Sequence, residues 1–135
     1  MKVMTLTKAF RFYAAHRNQE LEGKCSNIHG HRYIFKVTVM EKMVGSITIL
    51  FQDLEDKIQP LIDELDHSLL LDINDPANMS LKKSGACEKL FLMVEPTSAE
   101  NLAKEIFKWI EVTGLNIVKL ELQETDSTLI TIELK

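Results

Sequence analysis

Alternation of apolar and polar residues predicts β-strands at both ends of the chain. Near the N-terminus the alternation runs through residues 3–16 and again through residues 31–43, and each segment places its apolar side chains on one face. Near the C-terminus, residues 115–124 and 128–135 predict two strands that form a closing hairpin. A short apolar segment at residues 47–51 predicts one further strand, reached through a turn.

Two segments carry apolar residues at helical spacing and predict α-helices. The first should begin at Asp53, a favourable N-cap, and continue to Leu65, although Pro60 is expected to kink or restart it. The second should begin with Thr97 as N-cap and Glu100 at the third helical position, which together form a capping box.

The main predicted elements follow the order strand, strand, helix, helix, strand, strand. Short turns between neighbouring strands favour an antiparallel arrangement, so the pattern predicts an α+β fold with a four-stranded antiparallel sheet and two helices on one face. Residues 72–96 are the least regular part, and only the apolar run at residues 90–94 indicates a short strand there. A chain of 135 residues has the length of one domain, residues 1–135.

Composition narrows the class of protein. Apolar residues make up 45% and charged residues 27% of the chain, as in ordinary globular proteins, and no apolar run approaches the roughly 20 residues of a membrane span. A net charge of −4 argues against broad nucleic-acid binding. The N-terminal residues lack the apolar run of a secretory signal, so we expect a cytoplasmic protein with Cys25 and Cys87 reduced rather than joined in a disulfide.

Three of the four histidines fall where they could share a metal ion. His29 and His31 are two residues apart, so on an extended strand both side chains leave the same face. His16 ends the apolar face of the first predicted strand. Three neutral imidazoles with a vacant fourth position are the arrangement of a catalytic zinc, and the pattern therefore indicates a Zn²⁺ centre. The alternative is that a His-x-His pair on a strand simply lies at the surface.

Four further residues could carry chemistry, and each has a structural alternative. Cys25 could be a fourth zinc ligand, a base or an inert thiol, and a closed site of one cysteine and three histidines would make the protein a non-catalytic zinc-stabilised module. Asp66 could orient and charge His67 for proton transfer, or the pair could simply end a helix. Glu124 continues an apolar strand face, which indicates a carboxylate held for a ligand unless it merely reaches solvent.

These residues lie within motifs that follow one another along the chain. In order, the motifs are Phe-x-Ala-Ala-His, a cysteine separated by three residues from His-Gly-His, Leu-Asp-His, Pro-Thr-Ser-Ala-Glu-Asn-Leu-Ala and Glu-Thr. Together they extend from Phe12 to Thr125, and in this order they resemble the motifs of the 6-pyruvoyl-tetrahydropterin synthase / 6-carboxytetrahydropterin synthase family.

The resemblance implies a fold, an assembly and a cofactor. The fold would be the family's tunnelling fold, in which the sheets of three subunits join into a barrel. Two such trimers would stack into a homohexamer, with active sites between subunits. One zinc ion would be held by three imidazoles, those of His16, His29 and His31.

The resemblance also implies roles for the other candidate residues. Cys25 would be the catalytic base, assisted by Asp66 and His67. Glu124 would anchor the pterin ring through its 2-amino and ring N–H groups, and Thr97 would lie beside the pterin.

The implied substrate is a small molecule, 7,8-dihydroneopterin triphosphate, and no redox cofactor is needed. One branch of the family keeps the three-carbon side chain and makes a pyruvoyl product. The carboxy branch cleaves that side chain, releases acetaldehyde and leads toward deazapurine nucleosides such as queuosine. Three residues separate Cys25 from His29, a spacing typical of the carboxy branch, which is therefore favoured, with the pyruvoyl branch as the alternative.

Overall fold

The computed structural model describes residues 1–21 and 23–135 of the chain. In chain order its elements are β1 (Leu6–His16), a short 3₁₀ helix (Gly23–Ser26), β2 (His29–Val39), α1 (Phe51–Leu65), β3 (Ser68–Asp72), α2 (Ala77–Ser84), β4 (Leu90–Met93), α3 (Ala99–Val112), β5 (Ile117–Gln123) and β6 (Ile130–Glu133). Among these described residues, every helix is too short or too polar to cross a membrane.

Six strands form one sheet in the order β4-β3-β1-β2-β5-β6. β2 pairs antiparallel with β1 on one side and with β5 on the other, and β6 forms a hairpin with β5. Beyond β1, the strands β3 and β4 run parallel to it. The α+β class is confirmed, but the predicted four-stranded antiparallel sheet and the order ββααββ are wrong, because β3, α2 and β4 lie between α1 and α3.

The missed strand β3 has a pattern that alternation cannot detect. Its residues Leu69, Leu70 and Leu71 are all buried, so both faces of the strand are covered. Strands of this kind occur in parallel arrangements and read as continuous apolar runs. A short run of this type directly after a helix cannot be separated by periodicity from the end of that helix.

The apolar core lies between one face of the sheet and the helices α1 and α3. At its centre, the rings of Phe10 and Phe35 stack at a centroid distance of 5.3 Å, and those of Phe12 and Tyr33 at 4.9 Å. Both helices contribute their predicted apolar faces to the same cluster, through Leu54, Ile58, Leu61, Leu65, Leu102, Ala103, Ile106, Phe107 and Ile110. These two helices therefore lie on the same face of the sheet, and the ends of β1 and β2 extend beyond the core.

The segment before α1 differs from its prediction. The strand predicted at residues 47–51 does not form in the described structure, where Val44 and Ile47 make only an isolated bridge and α1 begins at Phe51. Asp53 is therefore not the N-cap but lies in the first turn of α1. Its carboxylate still stabilises the helix there, because it faces the positive end of the helix dipole.

The start of α3 also differs by one residue. Its N-cap is Ser98, whose hydroxyl oxygen accepts a hydrogen bond from the backbone N–H of Asn101 at 3.2 Å. The predicted N-cap Thr97 lies one residue before the observed cap, and its hydroxyl donates to the carbonyl oxygen of Arg17 at 2.8 Å. Glu100 keeps a place in the first turn of the helix.

Pro60 lies at an exposed position inside α1, which continues through it from Phe51 to Leu65. A proline there removes one backbone hydrogen bond and crowds the preceding turn. We predict that Pro60→Ala raises the free energy of unfolding by about 1–3 kcal/mol, measured by urea denaturation. The control Gln59→Ala, at the neighbouring exposed position, should change it by less than about 0.5 kcal/mol. A Pro60→Ala variant less stable than the parent would contradict this account.

Candidate functional site

The pairing of β1 with β2 brings three histidines together. His16 and His29 are directly opposite each other, and His31 lies two residues further along β2, opposite Ala14. The three ring centroids lie 4.6–5.1 Å apart. One possible ligand atom from each ring lies within 4.8 Å of the others, so the three side chains could hold one metal ion. The predicted convergence of the histidines is therefore present in the structure.

Hydrogen bonds fix the tautomers of two of these rings. His16 Nδ1 lies 2.8 Å from the carbonyl oxygen of Thr97, and His29 Nδ1 lies 2.7 Å from that of Asn27. Because a carbonyl oxygen can only accept, each Nδ1 carries the proton and each Nε2 keeps a free lone pair. This arrangement, with the second ring nitrogen held by the protein, is the usual one for a histidine that binds a metal.

Two Nε2 atoms of the cluster are buried without a hydrogen-bond partner among the described residues, those of His16 and His31. Buried polar atoms nearly always have a partner, so two orphan atoms a few ångströms apart indicate a bound group. Burial lowers the pKa of His16 and of His31, which favours the neutral imidazole that a metal requires. The residues therefore fit a zinc ion, and Zn²⁺ accepts such nitrogen ligands.

Glu124 lies at the edge of the cluster, one residue beyond the end of β5. Its carboxylate oxygens lie 3.7 Å from His31 Nε2 and 3.9 Å from His16 Nε2. The side chain is 21% exposed, so the carboxylate is partly shielded from water and faces the histidines. The structure thus brings Glu124 to the predicted site, at distances too long for a hydrogen bond.

Thr97 contacts the site through its backbone and its hydroxyl. Its carbonyl accepts from His16, and its hydroxyl lies 3.3 Å from His16 Nδ1 while donating to the carbonyl of Arg17. The residue is almost fully buried. Thr97 therefore positions the ring of His16. The sequence had predicted that Thr97 would be an N-cap and would lie beside the pterin.

Cys25 does not belong to the histidine group. It lies exposed in the short 3₁₀ helix between β1 and β2, and its thiol is not among the ligand atoms that converge. Its backbone is held, because its carbonyl oxygen accepts from the N–H of Asn18 at 2.8 Å. A site of three histidines without Cys25 leaves the fourth position open, as catalytic zinc sites do.

Asp66 and His67 form a dyad where α1 ends and β3 begins. Asp66 Oδ2 accepts from His67 Nδ1 at 2.9 Å, and Oδ1 accepts from the backbone N–H of Tyr13 at 2.8 Å. The Tyr13 N–H, with the contribution of His67, lowers the pKa of Asp66 and keeps it ionised. His67 adopts a backbone φ of 60°, and its own N–H donates to Tyr13 at 2.6 Å.

The dyad and the histidine cluster lie on opposite faces of β1. Side chains alternate along a strand, so Ala14 and His16 share the core face while Tyr13 and Ala15 face the other side. The ring of His67 lies beside that of Tyr13, at a centroid distance of 6.3 Å, and is 79% exposed. Within one chain, the structure therefore does not bring Asp66 and His67 to the histidine cluster.

Two features near the site escaped the sequence interpretation. The hydroxyl of Tyr33 is buried without a partner among the described residues, and the ring lies 5.6 Å from that of His31. Burial raises its pKa, so the phenol stays protonated. Arg17 and Asp75 form an ion pair in which the Asp75 side chain is buried and the Arg17 side chain is 26% exposed. In the sequence, Tyr33 follows the pattern of an ordinary core aromatic residue. Asp75 precedes a proline at the start of a helix, a pattern found in many turns.

Fold and site together define an α+β protein with a candidate three-histidine metal centre at the end of its sheet. Comparison with known sequences is more specific: the chain belongs to the 6-pyruvoyl tetrahydropterin synthase family, whose sequence model matches residues 5–135. Two relatives named 6-carboxy-5,6,7,8-tetrahydropterin synthase resemble it along most of their length. The Aquifex aeolicus protein is 34% identical over 89% of this chain and 91% of its own, and that of Haemophilus influenzae 29% identical over 91% and 94%.

Solved structures agree in fold. An uncharacterized protein from Wolinella succinogenes superimposes with a TM-score of 0.83 over 100% of both chains, at 17% sequence identity. The Caenorhabditis elegans 6-pyruvoyl tetrahydropterin synthase gives a TM-score of 0.71 over 100% of this chain and 98% of its own, at 22% identity. At these identities the likeness establishes the fold alone.

The candidate metal centre predicts the zinc content of the protein. The parent protein should bind one Zn²⁺ per chain, and His29→Ala should weaken binding about 100-fold or more because it removes one of three ligands. Zinc is measured by a competitive chromophoric chelator. The matched control is His67→Ala, which removes the fourth histidine, on the opposite face of β1, and should keep parental affinity. Equal losses in both variants would contradict the assignment.

Proposed function

We propose that the protein is a zinc-dependent 6-carboxy-5,6,7,8-tetrahydropterin synthase. It would convert 7,8-dihydroneopterin triphosphate with release of triphosphate and acetaldehyde, a step toward queuosine-type deazapurines. The observation that carries the proposal is the convergence of three imidazoles, with free Nε2 atoms, beside the carboxylate of Glu124. The names of the two relatives support the choice of reaction.

His16, His29 and His31 would hold the zinc ion. Bound there, zinc supplies Lewis-acid polarisation of the substrate's side-chain oxygens, which makes the neighbouring C–H bonds more acidic. The hydrogen bonds of His16 to Thr97 and of His29 to Asn27 keep these rings in the ligating orientation before the substrate arrives.

Cys25 would remove and return the substrate's carbon-bound protons. Its exposure and its place outside the histidine group favour a base over a fourth ligand, because a ligand thiolate would not be available to accept protons. The same observation weighs against the non-catalytic module, which needs Cys25 in the metal site.

Asp66 and His67 would transfer the proton that is exchanged with the substrate's oxygens. The ionised carboxylate fixes the proton on His67 Nδ1, so Nε2 is the atom that accepts and donates. Because the dyad lies on the opposite face of β1 from its own histidine cluster, we infer that it serves the site of a neighbouring copy. This agrees with a homohexamer built as a dimer of trimers.

Glu124 would recognise the pterin ring. A carboxylate can accept two parallel N–H hydrogen bonds, which matches the 2-amino and ring N–H groups of a pterin. Its oxygens face the histidines, which would set the ring at a fixed distance from the metal. Thr97, beside His16, would border the same space.

We take residues 1–135 as one domain that acts in the cytoplasm on a small molecule, without a nucleic-acid or membrane partner. The negative net charge supports the absence of a nucleic-acid partner. The spacing of Cys25 and His29 supports the carboxy branch of the family. The pyruvoyl product remains the alternative that product analysis decides.

The decisive experiment is product analysis. We expect the zinc-loaded protein and 7,8-dihydroneopterin triphosphate to give acetaldehyde and a carboxypterin, identified by mass spectrometry. Cys25→Ala should lower the rate at least about 100-fold because the base is lost, whereas the control Cys87→Ala should keep the parental rate. A pyruvoyl product would move the protein to the other branch of the family. No turnover with zinc bound would refute the enzyme assignment.

A mixing experiment tests whether two copies share a site. Cys25→Ala and His67→Ala should each be nearly inactive, because each removes one half of the proton-transfer machinery. If the halves come from different copies, dissociating and reassembling the two variants together should restore about a quarter of the parental activity by random pairing. Reassembly of each variant alone is the control. A mixture as inactive as its components would show that each site uses a single chain.

A further inference from the structure

Three consecutive residues at the exit of β1 each hold a different part of the candidate site. His16 Nδ1 donates to the carbonyl of Thr97 at 2.8 Å. The carbonyl of Arg17 accepts the hydroxyl proton of Thr97 at 2.8 Å. The N–H of Asn18 donates to the carbonyl of Cys25, also at 2.8 Å. The backbone from His16 to Asn18 therefore links one metal-ligand candidate, Thr97 and the segment that carries the thiol.

This exit is fixed from outside the site by one carboxylate. Both oxygens of Asp75 lie 2.7 Å from the guanidinium of Arg17, in a bidentate pair. The Asp75 side chain is 1% exposed, and Oδ1 also accepts from the N–H of Ala77 at 2.9 Å, at the start of α2. Its own N–H donates to Asp72, so the carboxylate is held firmly on its side of the pair. The guanidinium lowers the pKa of Asp75 and keeps it charged.

We propose that Asp75 is a positioning residue of the histidine site. Its bidentate contact with Arg17 fixes the backbone at the exit of β1. That backbone in turn sets the positions of His16, Thr97 and the Cys25 segment relative to one another. The inference deepens, and rests on, the proposed function. It assigns a role to the segment between β3 and β4, which supplies Asp75.

The geometry distinguishes this role from that of an ordinary stabilising ion pair. A planar guanidinium held by two parallel hydrogen bonds has one orientation, whereas a single contact would let the Arg17 side chain and its backbone rotate. The peptide group that follows Arg17 makes both contacts, to Thr97 through its carbonyl oxygen and to Cys25 through its N–H, so rotation there would move several site elements together. Groups hydrogen-bonded directly to metal ligands typically change metal affinity about 10–100-fold when removed, and Asp75 acts on His16 one residue further away, through Arg17.

The test measures the metal site and the thiol separately from turnover. In a Cys87→Ser background, the protein is loaded with Co²⁺ in place of zinc. The visible absorption spectrum, the Co²⁺ affinity and the rate of Cys25 alkylation by iodoacetamide are then compared. We expect Asp75→Asn to shift the cobalt bands, to lower the affinity about tenfold or more and to change the alkylation rate severalfold. Asp75→Glu, which keeps the charge, should recover part of each effect.

The matched control is Asp72→Asn, at the end of β3, which removes a carboxylate whose hydrogen bond among the described residues is from the N–H of Asn74. It should leave all three readouts at parental values. Should Asp75→Asn fail to fold, Arg17→Lys keeps the ion pair with a single contact, and it should produce the same changes to a smaller degree.

A folded variant that melts at a lower temperature but keeps the parental cobalt spectrum, affinity and alkylation rate would overturn the proposal and leave a purely structural ion pair. None of these readouts needs the pterin substrate. A protein without synthase activity could therefore still confirm the positioning role, and an active synthase could still refute it.

Discussion

The antiparallel register of β1 against β2 is the constraint on which the candidate site depends. His16 faces His29 across the two strands, and a slip of one residue would move every side chain of one strand to the opposite face. The register is secured deeper in the core, where Phe12 stacks on Tyr33 at 4.9 Å. Large aromatic side chains that are fully buried cannot turn outward without losing much of their burial energy. The packing that folds the sheet therefore also holds the imidazoles in place.

This dependence explains why the convergence of the three histidines could be predicted from the sequence, whereas the hydrogen bonding of their rings could not. Which side chains share a strand face is a local property, readable from alternation, and it was enough to select His16, His29 and His31. The protonation pattern of His16 is not local, because its Nδ1 is held by Thr97, 81 residues later in the chain. Thr97 itself was interpreted as an N-cap because its sequence context satisfies the rule, while Ser98 performs that role.

The fold was predictable where a segment has one buried face and unpredictable where it has two or none. β1, β2, α1 and α3 each expose one side, and this produces a clear period. β3 is covered on both sides, and α2 has no buried residue, so neither leaves a periodic signal. The partly buried ion pair of Arg17 and Asp75 joins residues 58 positions apart, and neither local sequence pattern predicts this contact. The three-dimensional structure was needed to identify β3, α2 and the Arg17–Asp75 pair.

The division of titratable groups between two faces of the sheet has a consequence for the proposed chemistry. Proton transfer needs donor and acceptor within about 3 Å, and side chains on opposite faces of β1 cannot approach so closely. The dyad of Asp66 and His67 is nevertheless held in a defined position. Two hydrogen bonds to the backbone of Tyr13 hold it against β1, and His67 adopts a left-handed backbone conformation. Unusual backbone conformations persist only where the surroundings enforce them, and they concentrate at functional sites. Under the proposed function, a dyad so constructed, exposed and remote from the histidine cluster of its own chain, would act on the cluster of another copy. Closed rotational symmetry would then let every chain supply the metal ligands of one site and the proton relay of the next.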